Sequence, residues 1–155
     1  YQTHAQIEIR QFNPVKDATD TQIAIELAME LGSRKITLVG GTGTRLDHVL
    51  GNIQTLYLPF AKGIDCRIVD AHNRIRLVSG ELHLKMTEQW GKYVSLIPFT
   101  TDVEGVDLIG FKYPLEKFSF TVLGTGSRGV SNEIEEEEAV IRIEKGIMIL
   151  VESKD

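Results

Sequence analysis

The hydrophobic period of this chain changes near residue 72, and that change restricts what the polypeptide can build. Before it, short β-prone runs alternate with helical stripes. Ala5, Ile7 and Ile9 alternate with Gln6, Glu8 and Arg10, the pattern of a half-buried strand, and Asn13-Pro14 ends it. Thr19-Asp20-Thr21-Gln22 forms a capping box ahead of an apolar series at Ile23, Leu27, Ala28 and Leu31, closed by Gly32, which predicts a helix. Residues 35–40 form a β-rich run that feeds a glycine cluster. Apolar residues at 46, 49, 50, 53, 56, 57 and 60 then mark a second helical stripe, and residues 66–70 supply another strand. Strands alternating with helices imply a mostly parallel sheet. The sheet has few strands, Tyr1 is not Met, and nothing helical precedes the first strand, so the chain is expected to begin mid-domain.

After residue 72 the β-prone runs follow one another, at 75–78, 82–86, 93–98, 106–113, 118–123, 140–143 and 147–151. Turn signals such as Ser79-Gly80, Trp90-Gly91 and Lys145-Gly146 separate them. The expected organisation is an α/β portion over residues 1–72 and an all-β domain, most simply a sandwich, over residues 73–155. The acidic run at 135–138 reads as a solvated turn.

Composition narrows the function classes. A chain of 155 residues with 42% apolar content can bury a core without covalent staples. The single Cys66 cannot form an internal disulfide, and no Cys/His spacing suggests zinc, so a reducing, cytoplasmic setting is expected. A net charge of −5 with scattered Lys and Arg argues against a nucleic-acid partner. No apolar run approaches the roughly 18–20 residues that span a bilayer, so no membrane partner is expected.

Three constellations offer chemistry. Lys16-Asp17-Ala18-Thr19-Asp20 sits between a strand end and a helix start. Asp17 and Asp20 can face one ligand there, and carboxylates suit Mg²⁺ bound alongside substrate phosphates. The same residue types cap helices, and one role does not exclude the other. Gly40-Gly41-Thr42-Gly43-Thr44-Arg45-Leu46-Asp47-His48 follows a strand and opens a helix, where backbone N–H groups and the helix terminus favour an anion. It is neither a Walker A loop nor the dinucleotide fingerprint, and a plain tight turn accounts for it equally. Arg45, His48 and Asn52 fall on one side of that helix, where an ordinary solvated face is the competing reading. A phosphate site would use the Arg45 fork, with Asp47 holding metal or orienting the loop. The third constellation, residues 124–132 with Ser127, Ser131 and Asn132, is ordinary turn chemistry that can also recognise a polar heterocycle.

Taken together, residues 16–20, 40–48 with Asn52, 105–115, and Ser131-Asn132-Glu133 resemble the thiamine pyrophosphokinases of bacterial type, in identity and order. The Asp-x-Thr-Asp and Gly-x-Arg-x-Asp-His pair at this separation is the specific part. The resemblance implies an α/β Rossmann-like partial domain followed by an all-β sandwich domain that binds thiamine, in a cytoplasmic homodimer with active sites between subunits. It implies transfer of a pyrophosphoryl group from ATP to thiamine with Mg²⁺. Asp17 and Asp20 would serve metal and nucleotide, and Arg45 and Asp47 catalysis. Lys16, Thr19, Gly40, Gly41, Thr42, Gly43, Thr44, His48 and Asn52 would surround the ATP phosphates, and Ser127, Ser131 and Asn132 would face thiamine. The family's Gly-Asp-x-Asp-Ser motif does not occur between Tyr1 and Asp155. The 155-residue polypeptide by itself is therefore expected to lack the activity. A non-catalytic heterocycle-binding module is the alternative reading.

Overall fold

The computed structural model describes residues 18–155; the expected strand at 5–9, Lys16 and Asp17 lie outside the described residues. Helix α1 (Asp20–Glu30) begins where the capping box predicts: the Thr19 hydroxyl accepts the Gln22 N–H at 3.2 Å. Only half of the box forms, because the Gln22 carboxamide donates forward to Glu26 at 2.9 Å. The helix ends at glycine, with Gly32 at φ +83° and the Ser33 N–H donating to the Ala28 carbonyl at 3.0 Å. Its buried face differs from the expected one. Ile25 and Met29, one turn apart, meet the sheet, whereas Ile23, Leu27 and Ala28 are half-buried and Leu31 is exposed.

Strand β1 (Lys35–Val39), helices α2 (Leu46–Thr55) and α3 (Tyr57–Phe60), and strand β2 (Asp65–Val69) form the expected parallel crossover. The apolar stripe of α2 and α3 divides. Leu56 is buried with Ile53 and Phe60 against the sheet, while Leu46, Leu50 and Tyr57 remain exposed. Next come β3 (Asn73–Lys85), β4 (Tyr93–Pro98), β5 (Asp102–Ile109), β6 (Leu115–Thr121), the short β7 (Asn132–Glu133) and β8 (Glu138–Ser153). The sheet runs β1-β2-β3-β8-β4-β7, with β5 joining β8 to β6. Among the described residues no helix is long and apolar enough to cross a membrane.

Two turn signals acted differently from expectation. The runs at 75–78 and 82–86 are one strand, and so are 140–143 and 147–151. Gly80 and Gly146 are bends inside these strands, at φ +69° and +101°, and the β3–β8 register shifts between Val78 and Gly80. Pairing on both sides of each bend carries the strand through a glycine that would otherwise close a hairpin. At Gly146 a side chain is excluded as well, since a Cβ would lie 2.8 Å from the Asp102 carbonyl oxygen.

Because β3 pairs with β2 through Arg67↔Arg76 to Val69↔Arg74, the sheet continues across residue 72. Two cores share it. Ile25, Leu56, Cys66 and Ile68 pack with Ile75 and Leu77 of β3, while Val103, Val106, Phe120, Ile141 and Met148 gather around the later strands. Leu150 of β8 lies between Arg76 of β3 and Leu96 of β4 and is 0% exposed. Leu150→Ala should cost about 2–5 kcal/mol, read as a lower urea midpoint with an unchanged slope.

Candidate phosphate-binding cleft

Since β1 and β2 are parallel, their C-terminal ends open on the same edge, the usual place for a ligand in such a sheet. At the end of β1 the chain turns through Gly40, whose φ of +82° suits glycine. Gly41 then lies flat on the sheet. A Cβ there would stand 2.9 Å from Leu38 Cδ2 and 3.0 Å from Ile68 Cγ2.

The loop is pinned from both sides. Asn52, 9% exposed on α2, donates its carboxamide to the Gly41 carbonyl at 2.9 Å. The Thr42 hydroxyl donates to Asp70 Oδ2 at 2.5 Å. Asp70 follows β2 and also accepts the His72 N–H at 2.7 Å and the Asn73 N–H at 2.6 Å. Partial burial pushes the Asp70 carboxyl upward, but the donors from Thr42, His72 and Asn73 outweigh it and hold its pKa at about 2.

The loop borders a cleft of about 600 Å³ lined by Thr19, Asp20, Gly40, Gly41, Gly43, Thr44, Arg45, His48 and Asn52. The spacing of Arg45, His48 and Asn52 thus does place them on one side, facing the same space. Two helix N-termini open there. Thr19 caps α1, with Asp20 in its first turn, and Arg45 precedes α2 without a side-chain cap bond. Their amides and the glycine backbone make the cleft favourable to anions.

Two members of the expected set stand outside the lining. Thr42 turns to Asp70, and Asp47 turns to Arg45, with Arg45 Nη2 2.6 Å and Nε 3.3 Å from its carboxylate oxygens. The hydrogen bond from Arg45 holds the Asp47 carboxyl below the usual range and raises the guanidinium in return. Asp47 therefore sets the direction of the Arg45 fork. Asp70 went unforeseen as part of the site. Asp70 with Asn73 just after a strand is a turn signal that could have drawn notice, but the bond to Thr42 depends on two parallel strands ending side by side.

The heterocycle loop is elsewhere: Ser127, Ser131 and Asn132 do not line the cleft. Ser131 sits at φ +59° and donates its N–H to Ser95 Oγ at 3.0 Å. Asn132, 6% exposed, donates to the Tyr113 carbonyl at 2.8 Å and accepts the N–H groups of Tyr113 and Glu133 at 3.0 and 2.9 Å. Its side chain fastens β7 to the turn between β5 and β6, while Ser127 is exposed. Among the described residues no three of His, Cys, Asp or Glu gather as a metal cage. A metal at the cleft would rest on few carboxylates plus ligand oxygens, which is the habit of Mg²⁺, and Asp20 is a carboxylate at that edge.

Fold and site define a two-part protein, an α/β edge carrying an anion cradle fused through shared strands to a β-rich domain. Residues 1–68 match the family model for the thiamin pyrophosphokinase catalytic domain, and residues 80–148 match that for the thiamin pyrophosphokinase vitamin B1 binding domain. The thiamine pyrophosphokinase of Bacillus subtilis (strain 168) is 38% identical over 141 residues, 90% of this chain and 64% of that protein. A crystal structure of the Bacillus subtilis enzyme superposes with a TM-score of 0.83 at 37% identity, covering 91% of this chain and 65% of that one. The thiamin pyrophosphokinase of Geobacillus thermodenitrificans gives 0.79 at 35%, covering 91% and 64%. The chain belongs to the thiamin pyrophosphokinase family. It spans somewhat under two thirds of the length of these relatives.

The lowered pKa of Asp70 gives a pH dependence of defined sign. Its folded pKa of about 2 lies below the roughly 3.9 of an unperturbed Asp, so its stabilisation is complete above about pH 4 and fades as pH falls toward 2. Thermal melts across that window should show a steeper loss for the native chain than for Asp70→Asn. Parallel curves would exclude this role.

Proposed function

We propose that the protein carrying this sequence is a thiamine pyrophosphokinase, transferring a pyrophosphoryl group from ATP to thiamine in thiamine diphosphate synthesis. One observation carries the reading: a pinned glycine loop, two helix N-termini, Arg45 and Asp20 converge on one cleft. Family membership gives that cleft its substrate class.

The thiamine hydroxyl oxygen forms a bond to the β-phosphorus of ATP, the bond from that phosphorus to the α–β bridging oxygen breaks, AMP departs, and the hydroxyl proton passes to solvent or a nearby base. In this reading the loop amides and the start of α2 hold phosphate oxygens, and Arg45, directed by Asp47, gathers charge that builds on the transferred group. Asp20, with Asp17 upstream, would hold Mg²⁺, which supplies further charge neutralisation. His48 and Asn52 border the phosphates, with Asn52 acting chiefly through the Gly41 carbonyl. The chemistry is positioning and electrostatics.

Because Ser127, Ser131 and Asn132 do not line the cleft, we read the complete site as shared between two copies in a cytoplasmic homodimer. The cleft of one copy would face the vitamin-binding loop of the other. The β1 to β2 crossover is then part of a Rossmann-like sheet, with a vitamin-binding β-sandwich after about residue 72. A heterocycle-binding module without nucleotide would have no use for a phosphate cradle, which favours the enzyme.

AMP release that requires both thiamine and Mg·ATP, assayed on the whole protein that carries this sequence, tests the proposal. Arg45→Ala should lower kcat/KM by about 100- to 1000-fold, the usual effect of losing one transition-state donor. Calorimetry should show Mg-dependent ATP binding weakened by Asp20→Asn. Thiamine binding without any nucleotide affinity would reverse the assignment in favour of the module.

A further inference from the structure

The bend of β3 encloses a polar recess of about 270 Å³ that shares no residue with the glycine cleft. Arg74 and Arg76, before the bend, form one wall, and His83 and Lys85, after it, form another, with Lys35 and Arg67 from the neighbouring strands. Arg67 and Arg76 are direct cross-strand neighbours on the face opposite Ile68, which packs with the helices. Like charges set opposite each other repel, and a half-buried guanidinium loses solvation.

The carboxylates nearby do not resolve this. Glu152, 1% exposed, is Arg74's cross-strand neighbour and takes Arg74 Nε at 2.6 Å and Nη2 at 2.5 Å. Asp65 pairs with Arg67. Glu88 stands 3.8 Å from Lys85. Among the described residues Arg76 has no ion-pair partner, and the Nε atoms of Arg67 and Arg76 are both enclosed without an acceptor. Neighbouring planar donors facing a small recess with surplus positive charge match an oxyanion having several acceptor oxygens.

We propose that this recess is a binding site for a small phosphate-class anion, held by Arg67 and Arg76 and distinct from the nucleotide cleft. Such an anion would bridge the two arginines and so tie β2 to the first half of β3. The inference does not depend on the catalytic assignment.

The sole tryptophan, Trp90, reports on this place. Its backbone N–H lies 3.4 Å from Glu152 Oε1 in the wall of the recess. Inorganic phosphate and pyrophosphate, titrated without Mg²⁺ at constant ionic strength set by chloride, should produce a saturable change in Trp90 fluorescence and raise Tm. Arg76→Met should weaken both responses by about tenfold or more, while raising Tm in the absence of phosphate because a costly buried charge is gone. Arg76→Lys, which keeps the charge but removes the fork, should also weaken binding and covers the case in which the Met variant does not fold. Arg45→Ala, in the other cleft, should leave the Trp90 response in place. No saturable response in the native chain would overturn the proposal. So would an equal response to chloride, undiminished binding in Arg76→Lys, or a response lost in Arg45→Ala.

Discussion

The antiparallel pairing of β3 with β8 is the constraint on which the rest of the molecule depends. These strands run side by side from Asn73↔Ser153 to Lys85↔Glu138, bending at Gly80 and Gly146 on the way. Before the bend β3 joins β2 and gives Ile75 and Leu77 to the helical core; beyond it, β8 pairs with β5 in the second core. One ladder therefore belongs to both halves of the protein. Backbone hydrogen bonds that must be satisfied on both sides of a bend leave little freedom for the halves to move apart.

That continuity fixes the glycine-loop cleft without contributing a side chain to it. The sheet holds β1 and β2 parallel with their ends level, so Gly41 rests on Leu38 and Ile68, and Asp70 reaches Thr42. Asn52 closes the arrangement from the helix above. The loop's backbone is thus held by the fold itself, so an anion binding there would not have to order it. The Arg45 and Asp47 pair is left exposed at the rim, where a guanidinium can exchange a carboxylate for phosphate oxygens.

Particular residues show where sequence reasoning reached its limit. The α1 cap at Thr19, the closing Gly32 and the β4 boundaries at Tyr93 and Pro98 were legible, because each depends on chemistry within a few residues. The helix face was not. Ile23, Leu27 and Leu31 have the right spacing, yet Ile25 and Met29 meet the sheet, and periodicity alone cannot say which of two apolar stripes a neighbour will cover. Gly80 and Gly146 were read as turns separating strands because glycine signals φ > 0 without saying whether the strand resumes. The internal bonds of the Asn132 carboxamide to Tyr113 and Glu133 were not legible, because they depend on which strands lie beside the loop.

The sequence by itself determined the cap and close of α1, the strand–glycine–helix order before residue 72, the loss of α-helix after it and, through two spaced motifs, the family. Each of these is carried by residue identity and local spacing. Only the tertiary structure decided that the two halves share one sheet, that Asp70 and Asn52 hold the glycine loop, and that Arg67 and Arg76 stand side by side without an acid for Arg76. Those facts arise from strand register, which brings together residues far apart in the chain according to which hydrophobic faces must be buried, and no local pattern encodes that choice.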